Sequence, residues 1–219
     1  MATVFLKSDT EPTSELASIE KKLAYFLSVY SPTTTFDTTF NPGDDVLNIT
    51  NAGRKAGAAG YHILFNGVPT ALVFPNQVGG LWGQYRAAVH KTVVIGGKII
   101  KLPGLRTPER FTPGLITILC HELVEVLCDP DLKQFAPANT RGERWLIEPC
   151  DWVEKTYWTR TIDGDVCVFP NAAYWKAFTD ESNKQGPYDI LGLVPAPFQC
   201  VGHPQAWGLD SKGVMTKFV

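Results

Sequence analysis

Basic residues are too few and too scattered in this chain to make it a binder of polyanions. Lys and Arg number 20 against 22 Asp and Glu, the formal net charge is −2, and no Lys/Arg cluster supplies the electrostatic footprint of a nucleic-acid or membrane-surface protein. No apolar run is long enough to span a bilayer, the first residues do not read as a signal peptide, and neither a low-complexity segment nor an internal repeat is visible. Cysteine is also sparse. Its five copies are an odd number without Cys-x-x-Cys spacing, which points to free thiols in a reducing cytoplasm rather than a disulfide framework. With 44% hydrophobic and 19% charged residues over 219 positions, the chain can bury a sizeable core, and a single domain over residues 1–219 is expected.

The most informative absence is local: residues 111–132 contain no Lys or Arg. Within them lies Cys120-His121-Glu122-Leu123-Val124-Glu125-Val126-Leu127-Cys128-Asp129-Pro130, in which Glu122, Glu125 and Asp129 repel one another at helical i,i+3 and i,i+4 spacing with no counter-charge nearby. A helix is well signalled here, with Thr112 as the expected N-cap, Pro113 at the first helical position, apolar faces from Leu115, Ile116, Ile118, Leu119, Leu123, Val124 and Leu127, and Pro130 as the stop. The acids fall in its C-terminal half, where the macrodipole disfavours negative charge. A bound cation would resolve both conflicts.

His121 and Glu125 stand one turn apart on one face, the placement of two metal ligands offered by a single helix. Glu122 sits where the general base sits in the zinc motif His-Glu-x-x-His, although here the second His is a Glu. A chance His-Glu-x-x-Glu is expected on the order of once in a hundred chains of this length, so the motif needs support from elsewhere. Glu148-Pro149-Cys150-Asp151 supplies it: Glu148 or Asp151 could arrive from this later segment as the third protein ligand, with Asp129 orienting a ligand from outside the coordination shell. Cys120, Cys128 and Cys150 flank these residues and read as small buried hydrophobes. His62, in a strand beside Tyr61, fits a satisfied sheet histidine better than a substrate-side donor or an alternative ligand, and His90 and His203 have no partner motif.

The pairing of His121-Glu122-Leu123-Val124-Glu125 with Glu148-Pro149-Cys150-Asp151 resembles a zincin-like family of uncharacterised proteins of tailed bacteriophages and prophages, and more distantly the plant Exordium family. The resemblance extends to Gly60-Tyr61-His62, Asn66-Gly67-Val68-Pro69 and Val73-Phe74 before the helix, and to Trp152-Val153-Glu154, Tyr188-Asp189-Ile190-Leu191-Gly192 and Pro195-Ala196-Pro197-Phe198 after it. It implies a zincin-like scaffold with a zinc or other divalent site, located in the host cytoplasm or the phage virion. A peptide or protein is the implied substrate if the chain is a metal-dependent, peptidase-type hydrolase. Other virion proteins are the implied partners if it is a non-enzymatic virion or assembly component that keeps the scaffold.

The remaining elements indicate an α+β fold in which a mixed or antiparallel sheet backs the metal-site helix. Residues 14–30 read as an amphipathic helix with an apolar stripe of Leu16, Ile19, Leu23 and Phe26. Residues 59–75 read as a hairpin turning at Asn66-Gly67, residues 93–102 as another around Gly96-Gly97, and residues 159–169 as a third at Asp163-Gly164. From about residue 187 a Pro-rich tail should form an ordered, mostly irregular wrap that buries Tyr188, Leu191, Leu193, Phe198 and Trp207.

On this reading His121, Glu125 and Glu148 or Asp151 hold the ion, and Glu122 accepts a proton from the water that attacks a carbonyl. Two carboxylates and one neutral imidazole cancel a divalent charge, which makes the centre a weaker Lewis acid than one with two histidines. A catalytic site further requires Glu122 to face a cleft that is not filled by Trp145 or Trp152.

Overall fold

Period-two and period-3.6 patterns alternate along the chain, and they segregate into strands and two long helices. A computed structural model describes residues 2–10, 13–30, 34–37, 45–52, 58–87, 90–95, 98–106, 109–179 and 185–218. The strands are β1 (Ala2–Ser8), β2 (Thr34–Asp37), β3 (Asp45–Ile49), β4 (Gly60–Phe65), β5 (Val68–Val73), β6 (Gln84–Arg86), β7 (His90–Ile95), β8 (Lys98–Arg106), β9 (Arg110–Thr112), β10 (Arg144–Trp145), β11 (Tyr157–Ile162), β12 (Asp165–Pro170), β13 (Trp207–Leu209) and β14 (Met215–Lys217). The helices are α1 (Thr13–Tyr30) and α2 (Leu115–Cys128). The fold is α+β.

The largest sheet has the order β2-β1-β3-β5-β4 and is mixed: β1, β2, β3 and β5 run parallel, while β4 pairs antiparallel with β5 at one edge. Two hairpins form at the expected dipeptides, because Asn66 (φ 51) with Gly67 (φ 80), and Asp163 (φ 53) with Gly164 (φ 88), adopt the two positive φ angles of a type I′ turn. β7 and β8 pair antiparallel with Ile95 opposite Lys98, and the turn between them at Gly96-Gly97 lies outside the described residues.

Helix α1 packs through Ile19, Leu23 and Phe26, all fully buried, as its apolar stripe requires. Helix α2 is apolar nearly all round and is accordingly buried nearly all round, in contact with β3, β4 and β5 of the sheet, with α1 and with β12. Leu115, Ile116, Leu119, Leu123 and Val124 are at most 1% exposed, and each such side chain contributes roughly 1.5–3 kcal/mol by leaving water.

The start of α2 differs from the expectation. Thr112 is not its N-cap, since it pairs in β9 opposite Gln84, and the cap is Gly114. Packing explains the choice. A Cβ on Gly114 would lie 2.0 Å from the Gly83 nitrogen, so only glycine lets the segment after Leu81 press against the helix end. That close approach closes the helix terminus without a side-chain N-cap: the Leu115 and Ile116 amides donate to the Gly80 and Leu81 carbonyls, both at 2.9 Å. Thr117 Oγ1 accepts from the Gly114 amide at 2.9 Å and donates to the Val168 carbonyl at 2.6 Å, which ties the helix start to β12.

The tail is ordered but only partly buried. Tyr188 and Phe198 enter a second apolar cluster with Trp145, Trp152 and Phe178, whereas Leu191, Leu193 and Trp207 are 36%, 48% and 41% exposed, against expectation. Nor is it wholly irregular, because β13 joins β10 and β14 in a three-stranded sheet. Among the described residues no helix is long and apolar enough to cross a membrane.

Candidate metal centre

Three elements converge at the C-terminal half of α2. The helix brings His121, Glu122 and Glu125; β4 brings Gly60 and His62; and the segment after β10 brings Glu148, Cys150 and Asp151, the last opening a single 3-10 turn (Asp151–Val153). All of them line one open cleft of about 620 Å³. Trp145 and Trp152 do not fill it. Their rings pack 4.5 Å apart in the second apolar cluster, where Trp152 also packs against Phe178 with the rings tilted by 43°, and so they anchor the segment that carries Glu148 and Asp151 from behind.

His121 Nε2 lies 3.0 Å from Glu125 Oε1 and 3.4 Å from Asp151 Oδ1. Despite the short distance, Glu125 Oε1 has no aligned hydrogen-bond donor. The His121 Nε2 and Glu125 Oε1 atoms therefore lie close together without hydrogen-bond alignment, an arrangement that two ligand atoms of one ion share. Bonds of about 2.0–2.1 Å at tetrahedral angles place neighbouring ligand atoms roughly 3.4 Å apart. Asp151 fits that spacing and, like His121, keeps 21% of its side chain exposed towards the cleft. Cys150 Sγ belongs to a second possible donor set with His121 and Glu125, but burial pushes its thiol well up, and the Glu125 charge adds to this. Among the described residues the ligand atoms that all lie within 4.8 Å of one another are those of His121, Glu125 and Cys150 and those of His62, Glu122 and Glu125, whereas Asp151 approaches the first group through His121 at 3.4 Å.

Glu148 lines the same cleft. Burial, then the charges of Glu125 and Asp151, push its carboxyl up to about 8. Burial likewise drives Glu125 up to about 7 against the opposing pull of His121. His121 itself is raised well above the usual imidazole value: burial lowers it, but the Glu125 charge and further contacts outweigh burial. All these shifts have one origin, negative charge crowded into a poorly solvated space. The one Lys or Arg among the described lining residues is Lys155, on the exposed rim.

Asp129 is fully buried at the end of α2 and works through the backbone. Its Oδ1 accepts from the amides of Lys133 and Gln134 at 2.7 and 2.8 Å, and the Gln134 carbonyl in turn accepts from the Ile147 amide, the residue before Glu148. Asp129 thus ties the strand-like segment that presents the second acidic group to the end of α2, while its Oδ2 is buried without a partner.

His62 is the residue that sequence reasoning misjudged. It is not a satisfied sheet histidine: Nε2 is buried without a partner, and Nδ1 faces Glu122 Oε2 at 3.8 Å and Glu125 Oε2 at 3.7 Å, too far for hydrogen bonds. Burial, which lowers its pKa, is overcome by these carboxylates, so the net direction is up. The signal in the sequence was indirect. Gly60, two residues earlier, allows β4 to approach α2 so closely that a Cβ there would meet Glu122 Oε1 and Ile118 Cγ2 at 2.7 Å each.

Comparison with family models finds no match for this chain, and neither the curated proteins nor the solved structures yield one.

Proposed function

We propose that this chain is a zincin-like, divalent-metal hydrolase that cleaves peptide bonds, with zinc as its ion. The observation that carries the reading is the pair of buried carboxylate oxygens without partners, Glu122 Oε2 and Glu125 Oε1, on residues that line an open cleft beside His62 and His121. Ionised carboxylates buried without partners cost several kcal/mol each, so a fold that is to keep them charged needs a cation in their midst. His121, Glu125 and, from the cleft side, Asp151 would hold it, with three side chains leaving a coordination position for substrate or water.

Bound there, a divalent ion supplies Lewis acidity, which acidifies a water and polarises a carbonyl. The chain supplies the rest. Glu122 reaches the cleft from a site only 5% exposed and accepts the proton, with Oε1 on the Gly60 side and Oε2 towards His62. Strand β4 borders the cleft through Gly60, Tyr61 and His62 and, among the described residues, has one partner strand, so its outer edge is placed to pair with an extended peptide.

The test combines metal content with cleavage of a peptide library. Zinc-loaded protein should cleave, His121→Ala should lose both the ion and cleavage, and Glu122→Gln should keep the His121-bound ion and lose cleavage. A loaded protein that cleaves no peptide would replace the hydrolase by a non-enzymatic virion or assembly component with a structural metal.

A further inference from the structure

Charge at the centre exceeds what one ion neutralises. With every carboxyl ionised, Glu122, Glu125, Glu148 and Asp151 would put four negative charges around two neutral imidazoles, and a single divalent ion would leave two of them in a site whose inner members are about 5% exposed. Two divalent ions would leave none.

The donor geometry divides in the same way. Glu125 turns one oxygen to each histidine: Oε1 to His121 Nε2 at 3.0 Å, and Oε2 to His62 Nδ1 at 3.7 Å. On the His62 side, Glu122 Oε2 completes a triad with Glu125 Oε2 at separations of 3.7 and 3.8 Å from the ring nitrogen, beyond hydrogen bonding and near the edge length of a coordination polyhedron. His62, Glu122 and Glu125 form one possible donor set, and His121 and Glu125 with Cys150 form another. Independently of the clustering, Glu122 is 5% exposed, and its Oε2, the oxygen that faces His62 Nδ1, is buried with no partner.

We infer that the centre binds two divalent ions bridged by the Glu125 carboxylate, the second held by His62 and Glu122. This rests on the metal reading above and extends it. A carboxylate that uses both oxygens spans ions about 3.5–4 Å apart, the spacing at which two metals share one reacting group. Glu122 then binds through Oε2 and keeps Oε1, on the Gly60 side, for the proton. Selectivity follows from the donors. The His62 position offers one nitrogen and carboxylate oxygens, a set that accepts manganese as well as zinc.

The experiment is equilibrium dialysis of the full chain against Mn²⁺, followed by metal analysis and electron paramagnetic resonance. The expected result is two ions per chain with an exchange-coupled spectrum, falling to one ion with an uncoupled spectrum in His62→Ala and in Glu122→Gln. Wild-type protein with one uncoupled ion would overturn the two-ion centre and leave the mononuclear hydrolase standing. Wild-type protein with no ion, after this dialysis and after a parallel dialysis against Zn²⁺, would overturn both. Because the wild-type spectrum is itself diagnostic, a variant that fails to fold does not remove the test.

Discussion

Two buried acidic groups in this protein receive opposite treatment. Asp189 is fully buried, and its Oδ2 accepts from Asn171 Nδ2 at 2.6 Å while Oδ1 accepts from the Val194 amide at 2.8 Å; Asn171 Oδ1 in turn takes the Ala172 and Leu191 amides at 3.0 and 3.2 Å. Glu122 and Glu125 are almost as deeply buried, yet an oxygen of each has no hydrogen-bond donor. The first group is closed by its own chain and latches the tail to the end of β12. The second is complete only with a ligand. Asp129 is also fully buried with one oxygen unpartnered, so what sets Glu122 and Glu125 apart is that their unpartnered oxygens lie beside the histidines in the cleft, where something from outside can fill the gap.

That contrast can be broken at either end. The largest effect is expected for Asp189→Ala, which strands the Asn171 amide and the Val194 amide and should cost about 3 kcal/mol in denaturant unfolding, with or without metal. Next comes removal of the ion. Chelation should lower stability by roughly 3 kcal/mol near neutral pH relative to protein at one fixed metal concentration, a hundredfold above the Kd at pH 7. The loss should grow with pH. Glu125 and Glu148 have folded values raised to about 7 and 8, so the metal-free protein holds more protons than the unfolded chain above about pH 4.5 and loses stability as pH rises through 8. Melting curves with and without chelator at pH 5 and pH 8 check the sign, and an equal difference at both would contradict it.

Gly60→Ala should cost about 1–3 kcal/mol through overpacking against Glu122 and Ile118, and should reduce peptide cleavage while His121 still binds its ion. Cleavage assays beside metal analysis separate the two effects. Glu125→Gln should give the smallest change and the opposite sign: in chelator at pH 8 it removes an unpaired buried charge and raises stability by about 1 kcal/mol. The equivalent Asp189→Asn change should destabilise under the same conditions, and the pair of melts sharpens the comparison.

Much of this contrast was legible in the sequence wherever the signal was local. The lack of Lys and Arg over residues 111–132 marked the acidic helix, and Asn66-Gly67 and Asp163-Gly164 marked their hairpins because type I′ turns demand those residues. What could not be read depended on distant partners. The parallel pairing of β1 with β3 and of β3 with β5 joins strands with no turn between them, and His62 gains its meaning only when β4 lies against Glu122 and Glu125. The Gly114 cap was masked by the better intrinsic cap Thr112, because nothing near it in sequence reveals that Gly83 packs there. In the tail, exposed Leu191, Leu193 and Trp207 look the same in sequence as buried Tyr188 and Phe198.

The most direct measurement is anomalous scattering at the zinc edge from a crystal soaked in zinc. The expected result is a peak about 2.0–2.2 Å from His121 Nε2 and a Glu125 oxygen, with an Asp151 oxygen in the same shell. Convergent side chains with no peak between them would contradict the claim that these carboxylates are kept for a metal.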